Sequence, residues 1–377
     1  MKFGKKNEVS LSPLDYNVIM LGESGIGKTS TMFEVCQKLA GDDGYLFLEC
    51  GNEAGADAIA GINYVTIPCY EQEYDEDMNT IGLINLVDDI CENKSTDWVD
   101  LKVLVIDTID QIFPILEQES IRVDNRERKK EGKPAVKSIN SAHGGYMKGQ
   151  DFAIGLGRDI ESRLNKVGVR LWKIGHCKTR TVTDTFTEEQ YIQLTAKLEQ
   201  RYFSAIKDEA HIMGLCYIDR DMVREKRREG SKEMVNRVKG EERKIKFRSS
   251  DYVVDNKSRF ADIVEEIPLD ADEFIKAFQD AIKAEASKSG TPIAEQKKTQ
   301  AKAKAKKAEK IAEQEVEAKA ENELSDMIAQ ITAFIKEHKS EMQTVKPIMS
   351  ALKAIDCKKP SDIQSVEDAM TILALCE

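Results

Sequence analysis

An α/β fold built on a mostly parallel sheet, followed by a small helical module, is what this sequence predicts. Three observations predict it. Short apolar runs alternate with segments of helical period through the first 288 residues, the pattern of strands joined by crossover helices. One such run, residues 16–21, leads into the glycine-rich turn Gly22-Glu23-Ser24-Gly25-Ile26-Gly27-Lys28-Thr29, and that turn opens a helix. Beyond residue 288 large apolar residues almost vanish, then return at helical spacing from 324 to the end.

The first strand, 17–21, is apolar from Val18 onward, as a strand buried on both faces should be. The turn after it fits the phosphate-binding pattern G-x-x-x-x-G-K-[ST] at every fixed position. Gly22, Gly25 and Gly27 let the backbone curl so that its N–H groups face phosphate oxygens. Lys28 brings a compact positive charge to the β- and γ-phosphates, and the Thr29 hydroxyl can ligate Mg²⁺. Glu23, Ser24, Ile26 and Ser30 complete the cradle. The helix that follows, 28–39, carries Met32, Phe33, Cys36 and Leu39 on one face and presents its positive end to the same anion. ATP and Mg²⁺ are the ligands this predicts.

Further strands are expected at 45–50, 63–68, 102–107, 168–176, 211–219 and 243–249, and helices at 78–92, 149–166, 189–206 and 271–287. The strand 102–107 ends in Asp107, placed to hold the water shell of the metal. The strand 45–50 ends in Glu49-Cys50 and continues as Gly51-Asn52-Glu53-Ala54-Gly55. Glu53 is the preferred water-polarising base, Glu49 its rival, and Asp110 a third choice. The strand 168–176 ends in His176, where a ring nitrogen can hydrogen-bond a γ-phosphate. Residues 210–250 read instead as two strands in an antiparallel extension of the sheet edge.

The residue after Asp107 is Thr108, where AAA+ and helicase-type NTPases carry a Glu; a catalytic Glu after the second strand is the RecA-like alternative. The loop 22–29, the Glu53-Ala54-Gly55 turn, Asp107, Ile174-Gly175-His176 and Asp255-Asn256-Lys257-Ser258-Arg259-Phe260 follow one another in order. With these motifs the chain resembles the phage-type RecA-like nucleotide-binding proteins, a group that includes the Sak-type single-strand annealing recombinases. The resemblance covers about residues 12–265. It implies a RecA-like P-loop NTPase fold and a DNA-dependent ATPase acting on single-stranded DNA in recombination. It also implies a homo-oligomer, ring or filament, in which Lys257 and Arg259 reach a neighbouring subunit's site as arginine fingers do.

Composition is compatible with this. The formal charge is −11, from 56 Lys and Arg against 67 Asp and Glu, so the protein is not basic all over. Yet residues 221–250 hold eleven cations against six acids. Arg227, Arg228, Lys244 and Lys246 are the expected phosphate contacts there. A second basic stretch occupies 126–137. The polar segment 177–187, with Lys178, Arg180 and Phe186, lies where RecA-like proteins carry a DNA-binding loop, and offers cations with an aromatic for stacking. Eight cysteines without a C-x-x-C pair read as reduced thiols. No apolar run reaches membrane-spanning length and the first residues lack a signal-peptide core, so a cytoplasmic location, within a host cell if phage-encoded, is expected.

Three segments are expected: an ATP-binding domain over 1–288, an Ala/Lys/Glu-rich linker over 289–323, and a three-helix module over 324–377. The linker buries no core and is either a solvated helix or a tether. The module is suited to docking on a replication or recombination protein, or to contacting DNA. Two functional alternatives stay open: a helicase-loader-like ATPase, and a nucleotide-gated DNA-binding protein with negligible hydrolysis.

Overall fold

The structure is a computed structural model and describes residues 8–75, 77, 79–183, 188–226, 234–248, 257–338 and 342–376. In chain order its strands are β1 Val18–Gly22, β2 Tyr45–Cys50, β3 Tyr64–Ile67, β4 Val103–Asp107, β5 Arg170–Thr183, β6 Gln190–Ala196, β7 Ile212–Lys226, β8 Met234–Lys246, β9 Lys257–Ser258 and β10 Glu266–Pro268. The α-helices are α1 Lys28–Ala40, α2 Leu83–Glu92, α3 Ile109–Lys130, α4 Lys148–Val167, α5 Gln200–Glu209, α6 Ala271–Ser287, α7 Ile293–Glu337, α8 Met342–Ala354 and α9 Val366–Leu373.

The chain divides into two units, one formed by Met1–Cys91 with Trp98–Lys302 and the other by Glu92–Asp97 with Ala303–Glu377. The first is a mixed α/β unit on one sheet of order β10-β8-β7-β1-β5-β4-β2-β3. From β3 to β7 every neighbouring pair in that order is parallel. β8 and β10 then add antiparallel at the edge. The central strands β1 and β4 are buried at every position, which is why they read as unbroken apolar runs. Each face of the sheet has its own core. Ile112, Phe113, Leu164 and Phe203 from α3, α4 and α5 pack on one face; Met32, Phe33, Phe274 and Phe278 from α1 and α6 pack on the other.

Parallel strands run in register, so their carboxyl ends line up. Gly22 pairs with His176 and with Cys216, and Glu49 pairs with Asp107. The sheet alone therefore collects the phosphate loop, both acids and the histidine along one edge.

Several expectations are corrected. Residues 189–206 are not one helix: 190–196 form β6, and α5 starts only at Gln200. The stretch Gln190-Tyr191-Ile192-Gln193-Leu194-Thr195 includes aromatic Tyr191 and β-branched Ile192 and Thr195, and these favour a strand once β5 offers its edge. Residues 177–183 are strand too, the outgoing half of an antiparallel arm with β6, and 184–187 lie outside the described residues. The helix expected from 78 begins at Leu83, because Thr80 bridges Thr66 in an extended stretch. α3 has no counterpart in the sequence reading. Pro114 stands in it and its apolar residues thin out beyond Leu116, after which charged helix formers carry it. The basic stretch 126–137 consequently is half helix, with Arg128, Lys129 and Lys130 in the last turn of α3, where the helix dipole favours them.

The expected linker is helical from Ile293 onward. α7 runs unbroken through it and into the module, since Ala, Lys, Glu and Gln are all strong helix formers. Ile331, Ile348, Leu352, Ile363, Ala369 and Ile372 form the small core of the module. Ser365 caps α9 by accepting from the Asp368 N–H at 3.4 Å.

Candidate nucleotide site

The phosphate loop leaves β1 at Gly22, a position where only glycine fits. A Cβ there would lie 2.9 Å from Cys216 Cβ and 3.0 Å from Cys216 O on the adjacent β7. Gly27, at φ +109°, is the residue from which α1 starts, and its left-handed conformation turns the following N–H groups inward. Lys28 is buried, with Nζ donating to Gly22 O at 3.1 Å and Glu23 O at 2.8 Å. Burial lowers the pKa of its ammonium, and Cys216, Asp107, Cys177 and Asp110 nearby act against that. Glu23, Ser24 and Gly25 are exposed at the tip of the loop, Ile26 is buried beneath it, and Ser30 is exposed on the first turn of α1.

Thr29 Oγ1 donates to Asp107 Oδ2 at 2.8 Å, joining the loop to the end of β4. Burial raises the Asp107 pKa, opposed chiefly by the Thr29 hydrogen bond. One hydroxyl and one carboxylate are what Mg²⁺ takes from a protein when phosphate oxygens and water fill its remaining positions. The donor set thus fits Mg²⁺–nucleotide, with Thr29 and Asp107 on the metal and Lys28 and the loop N–H groups on the phosphates.

Glu53 follows β2 and accepts from Thr108 Oγ1 at 3.2 Å, beside Asp107. Glu49 is 4% exposed and accepts from the Ala56 N–H at 3.0 Å, so its carboxylate is engaged in closing the 50–56 loop. Burial raises its pKa as well. His176 sits at the end of β5. Its backbone N–H donates to Asp110 Oδ2 at 2.7 Å and its Nδ1 stands 3.1 Å from the same oxygen. Asp110 Oδ1 is buried with no hydrogen-bond partner among the described residues. The structure thus makes Asp110 the orienting partner of His176.

The cations read as DNA contacts are scattered. Arg227 and Arg228 lie outside the described residues. Lys244 is 2.7 Å from Asp219, and Lys246 is 3.2 Å from Glu265. Both lysines are therefore already matched by carboxylates at the root of the β7–β8 ribbon. Farther out, Arg224, Arg237 and Lys239 are exposed. Lys178 and Arg180 are exposed on the β5–β6 arm, with Lys178 Nζ 3.4 Å from Lys197 O. Lys257 and Arg259 are away from the chain's own phosphate loop. Lys257 Nζ donates to Lys207 O at 2.7 Å, and Arg259 donates to Asp208 O at 2.6 Å and Ala210 O at 3.2 Å. These bonds satisfy the carbonyls that end α5.

Among the described residues no helix is long and apolar enough to cross a membrane. The family model described as AAA domain matches residues 14–260, more than half of the chain. No curated protein matches the chain.

Proposed function

The chain belongs to the AAA domain family of P-loop ATPases, and on that premise we propose that it is a Mg²⁺-dependent ATPase of RecA-like arrangement that acts on single-stranded DNA. One observation carries the nucleotide reading: Lys28, Thr29 and Asp107 converge at the carboxyl edge of the sheet, with Thr29 and Asp107 only 2.8 Å apart. The RecA-like arrangement is supported by the acid after β2. Glu53, in the loop after β2, accepts from Thr108, the residue that follows Asp107, and so is close enough to take the part of the carboxylate missing at position 108.

In the proposed turnover Glu53 accepts a proton from the attacking water, which forms a bond to the γ-phosphorus as the bond to the β–γ bridging oxygen breaks. Lys28 holds the β- and γ-phosphates against the loop. A bound Mg²⁺ would neutralise charge on the same oxygens. His176, fixed by Asp110, is placed to sense whether the γ-phosphate is present, and its strand continues directly into the β5–β6 arm carrying Lys178 and Arg180. That continuity supports a nucleotide-controlled DNA surface made from the two arms. The homo-oligomer, its use of Lys257 and Arg259 in trans, and docking of a replication or recombination protein on the second unit belong to the same proposal.

Glu53→Gln tests it. The change keeps shape and removes the basic carboxylate, so turnover should fall by about 10²–10⁴-fold while ATP affinity stays within about two-fold. Normal turnover in Glu53→Gln together with loss in Glu49→Gln would transfer the base to Glu49. Turnover indifferent to single-stranded oligonucleotides would remove the DNA half of the proposal.

A further inference from the structure

We infer that Arg243, together with Leu269, forms the wall of the site against which the nucleoside of a bound nucleotide rests. The inference rests on the nucleotide reading above and adds to it the end of the ligand that the phosphate-loop residues leave unassigned.

Arg243 lies on β8, two strands from β1. Its Nη1 donates to Ile26 O, inside the phosphate loop, at 3.2 Å. The atoms nearest to the space above Gly27 are Arg243 Nη1, 3.6 Å from where a Cβ would stand, and Leu269 Cδ2, at 3.8 Å. Leu269 is tied to the same arginine, its N–H donating to Arg243 O at 2.8 Å. A guanidinium and an aliphatic side chain thus flank the residue at which α1 begins.

The topology decides which part of the ligand meets them. Thr29–Asp107, Glu53 and His176 gather on the β2, β4 and β5 side of β1, and they define the metal and γ-phosphate end. A triphosphate is a linear chain. With its γ end on that side, its α end and nucleoside leave across α1's first turn toward β7, β8 and β10. Arg243 and Leu269 are the groups that this side brings to the loop.

The chemistry suits a base. The hydrogen bond to Ile26 O fixes one edge of the guanidinium and leaves its planar face free, and the side chain is exposed at the rim. A guanidinium face stacks on an aromatic ring by cation–π attraction, and Leu269 supplies apolar contact beside it. A lysine would offer charge without the plane.

The test is a comparison of ligands that share phosphates but not a base. ATP, ADP and inorganic tripolyphosphate are titrated, with Mg²⁺, against the full-length protein and Arg243→Ala, in competition with a fluorescent nucleotide. ATP and ADP should each bind about ten-fold more weakly to the variant, within the range of a cation–π contact. Tripolyphosphate should be unchanged within about two-fold. Equal weakening of all three would make Arg243 a brace of the loop only, and no weakening of any would remove it from the site; either overturns the inference. A wild-type protein that binds neither ATP nor ADP would overturn the nucleotide reading itself. A second measurement uses bound 1,N⁶-etheno-ADP and acrylamide quenching. The base should be more accessible in Arg243→Ala, and in Leu269→Ala, than in the wild type; equal quenching in all three proteins overturns the inference independently.

Discussion

Burial disfavours the charged form of both Lys28 and His211. Lys28 is buried at the loop, and among the described residues its ammonium donates to the carbonyls of Gly22 and Glu23. Lys28→Ala should therefore abolish tight nucleotide binding, by on the order of 10- to 100-fold for lost charge-assisted hydrogen bonds. The thermal transition without nucleotide should move little, because the side chain touches the loop and not the cores; calorimetric titration and a melting curve check both. His211 is different. Its Nδ1 accepts from the Asn17 N–H at 3.0 Å, so the ring is needed neutral. Burial, then Arg259, Arg170 and Lys257, push its pKa down to about 4. The unfolded chain takes up this proton near pH 6.5, the folded chain not until about 4. Its contribution is therefore fully present above pH 6.5 and is lost as pH falls toward 4. Urea melts at pH 7 and pH 5 should show a smaller acid loss in His211→Gln than in the wild type.

At the scale of elements, the β7–β8 ribbon carries its ion pairs on the inner half, Lys244–Asp219, Lys246–Glu265 and Arg220–Glu241, with exposed cations beyond them. Lys244 and Lys246 are matched by Asp219 and Glu265, whereas Arg224, Arg237 and Lys239 stand exposed. Neutralising Arg224, Arg237 and Lys239 should weaken single-stranded oligonucleotides of different sequence about equally. It should flatten the log–log salt dependence by roughly 0.7 per lost phosphate contact. The Lys244→Gln, Lys246→Gln pair should change the slope far less and lower stability instead. A binding series over salt concentration separates the two sets; equal slopes in all proteins would take the β7–β8 ribbon out of DNA contact. The difference between root and tip was not legible in the sequence, because a run of cations does not say which carboxylates the partner strand brings opposite it.

For the molecule as a whole, the phosphate loop, Asp107 and His176 all belong to the first unit, so truncation after Lys302 should leave ATP affinity within about two-fold. The cut removes the module whose core is confined to a few side chains such as Ile331, Ile348 and Leu352. A module of that size draws little stability from its own core. Loss of ATP binding on truncation, in a protein whose melting curve is otherwise intact, would contradict this division. Loss of oligonucleotide binding alone would move the DNA surface to the second unit.

The sequence by itself determined the phosphate loop, the buried strands β1, β2 and β4, the acid Asp107 and the helical periods of α1 and α6. Each of these rests on local constraints: φ values only glycine adopts, uninterrupted apolar runs, and a spacing set by the helix. The alternatives Glu53, Glu49 and Asp110 were visible as residues but not as roles. Only the tertiary structure gives each its neighbour: Thr108 for Glu53, the Ala56 N–H for Glu49, His176 for Asp110. The same holds for β6, whose strand form depends on the free edge of β5, and for α3, whose charged half gives no apolar period. Arg243 is the extreme case. It stands 217 positions from the carbonyl it holds, and nothing local marks it out from ten other cations in its segment. Strand pairing across the sheet brings it to the loop, and pairing is a property of the whole chain's burial and not of any short stretch within it.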